Sequence, residues 1–82
     1  MAGLELYKDA ILTVDLPANG LRAGDIGTVV EHHHASGIED GYSVEFFDMT
    51  GHTVAVVTVP ASNLRAPTSA DLPSARARQS CP

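Results

Sequence analysis

Eighty-two residues with a net charge of −5, one cysteine and no tryptophan describe one small acidic domain, of a size that buries only about 60% of its unfolded-chain surface. The lone Cys81 excludes an intrachain disulfide framework, and no run approaches the ~18 consecutive apolar residues of a membrane helix. Residues 1–66 carry Lys8, Arg22 and Arg65 as their only Lys or Arg, against every acidic residue except Asp71, a balance that repels nucleic-acid phosphates and anionic lipid surfaces.

Met1 to Val14 lacks a basic segment followed by a clean apolar stretch, so no secretory signal is expected and the cytoplasm is the expected compartment. The first apolar run, Ala10 to Val14, ends at Asp15-Leu16-Pro17-Ala18-Asn19-Gly20, where Pro17 presets φ and Asn19-Gly20 tolerates positive φ, so the chain turns. A second turn, Ala23-Gly24-Asp25, precedes the run Ile26 to His32, and polar residues His33 to Gly41 separate that run from Tyr42 to Phe47. Asp48-Met49-Thr50-Gly51 reads as a tight hairpin into a strand from His52 to Val59. Pro60 to Asn63 reads as one 3-10 turn, and Leu64 to Ala66 as a very short last strand stopped by Pro67.

Short apolar runs punctuated by turn residues specify an all-β chain. Five short strands with a long first loop, a tight third turn and a 3-10 turn before the last strand follow the order of a small five-stranded SH3-like barrel. The domain is expected over 1–66, with 67–82 as a flexible Ala/Ser/Pro-rich C-terminal tail, because that segment has too little apolar surface to offset chain ordering.

The stretch from Asp15-Leu16-Pro17 through Gly24-Asp25-x-Gly27-Thr28-Val29-Val30-Glu31, then Tyr42-x-Val44-Glu45-Phe46-x-Asp48, Ala55 to Val59 and Leu64-Arg65 resembles a small bacterial family known as domain-of-unknown-function family 4926. The resemblance covers nearly all of the chain before the tail. It implies an SH3-like barrel and brings no activity or catalytic residues. The segment Gly24 to Val30 is also similar to the Gly-rich turn of KOW-type nucleic-acid-binding barrels, an alternative opposed by the acidic charge, and its likeness to the SH3-like domain of the nitrile hydratase β subunit is short.

Three adjacent histidines, His32-His33-His34, and a fourth, His52, are the residues most suggestive of chemistry. Residues i and i+2 of a strand share a face, so His32 and His34 with His52 form a candidate metal set, and pH sensing is a second use of the same imidazoles. The set lacks a fourth ligand and a His-x-x-x-His pattern, and a solvated loop face explains it as well. The serines have no nucleophile elbow, and Gly20, Gly24 and Gly27 match neither the dinucleotide nor the P-loop spacing. No catalytic residue and no cofactor are expected. With two Tyr and two Phe, the aromatic platform for polyproline ligands is missing.

The fourth strand is apolar on both faces: strict alternation puts Thr53, Ala55, Val57 and Val59 on one side and Val54, Val56 and Thr58 on the other. Such strands are covered on both sides, and a chain of this length has little left to cover them. Phe47, Val54, Val56 and Thr58 are therefore the expected interface, for a homodimer or higher assembly or for another protein partner, with no nucleic acid and no membrane. An accessory subunit of an enzyme, or a metal-binding protein using the histidines, is the alternative of another class.

Overall fold

The computed structural model describes residues 4–78; Cys81 lies outside them. The chain is all-β, with strands β1 (Asp9–Leu12), β2 (Ile26–His33), β3 (Gly41–Phe47), β4 (Thr53–Pro60) and β5 (Leu64–Arg65). Two single 3-10 turns interrupt them, Pro17–Asn19 in the first loop and Ala61–Asn63 before β5. The strands form one antiparallel sheet in the order β4-β3-β2-β1-β5. The sheet is open: β4 and β5 are its edges and do not pair with each other. The closed barrel expected from the sequence is not reached through hydrogen bonds, because β5 contributes only two residues and spends them on β1, as Ile11 opposite Arg65 and Leu12 opposite Leu64.

Packing, rather than pairing, brings the edges together. Ala10 and Leu12 of β1, Val29 of β2, Tyr42, Val44 and Phe46 of β3, Val59 of β4 and Leu64 of β5 are all buried in a single cluster with Leu21. Opposed residues of an antiparallel ladder share a face, so the pairs Val29–Val44, Val44–Val57, Tyr42–Val59 and Phe46–Ala55 run the core across three strands. The opposite face carries Thr28, Glu45 and Val56 in one row and Glu31, Ser43 and Thr58 in the next. Two aromatics lie outside the core. Tyr7 is exposed in a turn with φ 63°, and Phe47, expected to face away from the core, is partly exposed.

Two β-bulges bend the sheet. One falls between Val29 and Glu31 of β2, and the other lies where Phe46 opposes Ala55 but Phe47 opposes Thr53, leaving Val54 as the extra residue. The second corrects the strict alternation expected for β4. Thr53 is carried to the outer face, where its hydroxyl donates to Glu45 at 2.6 Å, and half-buried Val54 packs against the core instead.

Beyond β5, residues 66–78 form no strand or helix. Arg65 donates from both terminal nitrogens to Asp71, at 2.9 and 2.6 Å, and Asp71 accepts the Thr68 amide at 2.7 Å. Arg76 reaches back to Asp25, in the connection leading into β2.

Gly27 marks a close approach of β2 to β3. A Cβ built there would lie 2.5 Å from Val44 Cγ1 and 2.9 Å from the Glu45 carbonyl oxygen, and a backbone atom cannot rotate away. Gly27→Ala is therefore expected to destabilise the domain by roughly 1–3 kcal/mol, the usual cost of overpacking. Thermal or urea unfolding measures this, and a variant as stable as the parent contradicts the close packing described.

Candidate functional site

The histidines of β2 are shared between two faces. His32 lies opposite Tyr42 and stacks on it, with ring centroids 4.8 Å apart and an interplanar angle of 14°. Its Nε2 donates to Asp40 Oδ2 at 2.7 Å, while His34 Nδ1 donates to Asp40 Oδ1 at 2.6 Å. The two imidazoles thus grip one carboxylate across the β2–β3 loop, and the pair of hydrogen bonds requires the proton on Nε2 of His32 and on Nδ1 of His34. His33 joins a polar ladder on the outer face: its Nε2 is 2.8 Å from Ser43 Oγ, which is 3.1 Å from Thr58 Oγ1. One hydrogen-bonded line therefore crosses β2, β3 and β4.

His52 is elsewhere. It lies in the β3–β4 turn at the far end of β3, where Nδ1 is 2.8 Å from Thr50 Oγ1 and its amide donates to Asp48 at 3.0 Å. His32 and His34 come together through Asp40, and His52 does not join them. Among the described residues no group of three or more His, Cys, Asp or Glu side chains is placed to hold a metal ion.

The expected interface residues divide in a similar way. Val56 is 58% exposed and Phe47 45% exposed. Both stand on the outer face with exposed Thr58, beside the hydrogen-bonded Glu45–Thr53 pair. Val54 is removed from that face by the bulge and lines a groove instead. Beyond the ladder with β3, no residue of β4 makes a backbone hydrogen bond among the described residues, so the outer edge of an eight-residue strand is free.

The groove has a volume of 440 Å³ and lies between the start of β2, the β3–β4 turn and the segment after β5. Its apolar walls are Leu21, Ile26, Phe47, Met49 and Val54. Asp25 and Asp48 also line it. Asp25 accepts the Arg22 amide at 2.8 Å and the Arg76 guanidinium, and Asp48 accepts the Thr50 amide and hydroxyl and the His52 amide. Sequence reasoning missed this site because its acid and its arginine are distant in the chain and neither belongs to a motif.

Burial pushes the Asp25 carboxyl up, but the Arg76 hydrogen bonds, the Arg22 amide and the two guanidinium charges outweigh it and hold it below the ordinary 3.8. Asp40 is lowered by His34 and His32, Asp48 by the Thr50 hydroxyl and the His52 amide, and Asp71 by Arg65 and the Thr68 amide. A carboxyl whose folded value lies below its unfolded one adds stability that is full above the unfolded value and is lost as pH falls through the folded one. The melting temperature is therefore expected to fall on acidification below about pH 5. Asp25→Asn, less stable than the parent at pH 6, should lose less on acidification; melting curves that fall in parallel contradict the assignment.

No helix among the described residues is long and apolar enough to cross a membrane. The curated proteins and the solved structures compared with the chain contain no match to it. A family model does match, over residues 6–66, a span that starts just before β1 and ends just after β5. The chain belongs to the family described as domain of unknown function DUF4926.

Proposed function

We propose that the protein is a small SH3-like binding module, not a catalyst, and that it self-associates through β4. The strand order, the 3-10 turn before β5 and the single core gathered from both edges support the SH3-like description. The carboxylates that stand out, Asp25, Asp40, Asp48 and Asp71, are each engaged by neighbouring amides, imidazoles, hydroxyls or guanidinium groups, which favours binding over acid–base chemistry.

The observation that carries the proposal is the free edge of β4. Natural edge strands are short, or guarded by lysine, proline, inward charge, β-bulges or covering loops, and in β4 the bulge at Val54 and Pro60 guard only its two ends. The sequence Thr53-Val54-Ala55-Val56-Val57-Thr58-Val59 has no charged residue, and Pro60 interrupts only its end. A two-fold axis through Val56 would oppose Ala55 to Val57 of a second copy, extending the sheet antiparallel with β-branched or small residues as far as the bulge at Val54. The same axis brings the exposed Val56 side chains of the two copies together on the outer face, with Thr58 and Phe47 beside them. A closed two-fold pairing of this kind is self-complementary and uses up the edge.

The parent chain is expected to sediment as a dimer at micromolar concentration, and Val56→Glu as a monomer with an unchanged far-ultraviolet circular dichroism spectrum. A parent that remains monomeric at every concentration tested, or a Val56→Glu variant that remains dimeric, overturns the proposal.

A further inference from the structure

Residues 72–76 and Arg78 line the groove, yet they fill it incompletely. Arg76 is the firmly held residue: Nε donates to Asp25 Oδ1 at 3.0 Å, and Nη2 donates to Asp25 Oδ2 and, at 3.2 Å, to the Gly20 carbonyl. The pair is mostly enclosed, with side chains only 25% and 19% exposed. Arg78 adds its charge at Asp48, on the β3–β4 turn. Between these charges the segment offers little. Leu72 is 84% exposed, and Pro73, Ser74 and Ala75 are exposed as well. The apolar walls stay correspondingly open, with Ile26 42% and Met49 92% exposed.

A groove with two carboxylates and apolar side chains among its lining residues has the chemistry of a site for an extended peptide. Carboxylates select guanidinium groups through paired hydrogen bonds, and the walls take an aliphatic or aromatic side chain. The chain's own segment satisfies the Asp25 charge and leaves Ile26, Phe47 and Met49 of the walls exposed. It is held by ion pairs that a competing ligand can replace while also covering the apolar surface. We infer that the groove binds an extended, arginine-bearing segment of another protein, and that residues 71–78 act as a displaceable strap that closes it. The inference does not rest on self-association through β4: Val54 and Phe47 border both surfaces, but Asp25, Ile26, Met49 and Arg76, which carry the inference, lie off that strand, and Val56 is not among the lining residues.

A tethered segment competes at an effective concentration in the millimolar range, and a site that is open only part of the time binds correspondingly more weakly. The probe is a fluorescein-labelled peptide with the sequence of residues 70–78, Ala-Asp-Leu-Pro-Ser-Ala-Arg-Ala-Arg, titrated with the full-length protein. Arg76→Ala in the protein releases the strap and is expected to tighten probe binding about tenfold over the parent. Asp25→Asn added to that background is expected to reverse the gain, since asparagine keeps an acceptor for the Arg22 amide while losing the charge. A probe with alanine in place of both arginines is expected not to compete, a control that needs no change in the protein. Equal affinity of the parent and the Arg76→Ala variant, or competition by the alanine probe, overturns the inference. A change of oligomeric state in Arg76→Ala without probe binding also overturns it, since the occupant is then the strap of a second copy. Val56→Glu is expected to leave probe binding unchanged, so loss of dimerisation and loss of peptide binding are observed separately.

Discussion

A sheet of this length without a helix to lie on it can bury apolar side chains in only one way: it must bend until its own strands surround them. The packing of Leu12, Val29, Val44 and Val59 against one another satisfies that requirement, and these are the largest fully buried side chains. They come from four strands, so the core exists only when the whole sheet is curved. The curvature in turn has local causes. Gly27 lets β2 approach β3 more closely than a Cβ allows, and the bulges at Val30 and Val54 sharpen the twist on either side.

The acidic residues have a structural use that their number alone does not suggest. Asp15 accepts the Ala23 amide, Asp25 that of Arg22, Asp48 those of Thr50 and His52, and Asp71 that of Thr68. Asp40 holds two imidazoles in place of an amide. Each aspartate ties together a loop or turn, so the charge that would keep phosphate away also organises the connections between strands. The one-sided core leaves the other face of β3 and β4 to a polar ladder and two apolar side chains, and leaves β4 with a free edge.

Much of the fold was legible because its punctuation is chemical. Pro17, Gly20, Gly24, Gly51 and Pro60 mark connections by backbone preference, and all five strands were located from the runs between them, with ends shifted by one or two residues. What alternation could not reveal was the insertion at Val54, since a run of valines and threonines reads the same in either register. Nor does any apolar run mark Tyr7, which the turn that starts the domain leaves exposed. The candidate site was less legible still. The i, i+2 spacing is consistent with His32 and His34 both reaching Asp40, but it could not report that the β3–β4 turn holds His52 at the other end of β3, and the Arg76–Asp25 pair depends on where the chain returns after β5, a matter of the assembled fold.

The strand order also sets how the chain is assembled. β2, β3 and β4 follow one another through short connections, so their ladders close small loops at low entropic cost and with native register. β1 and β5 come from opposite ends of the domain and meet through two residue pairs, Ile11 with Arg65 and Leu12 with Leu64. That seam joins the most distant parts of the chain through its smallest ladder. On contact order alone, the three-stranded meander is expected to form before the seam is closed. Opening it would take Leu12 and Leu64 out of the shared core, so the β1–β5 seam couples the two ends of the domain to the packing of the meander between them.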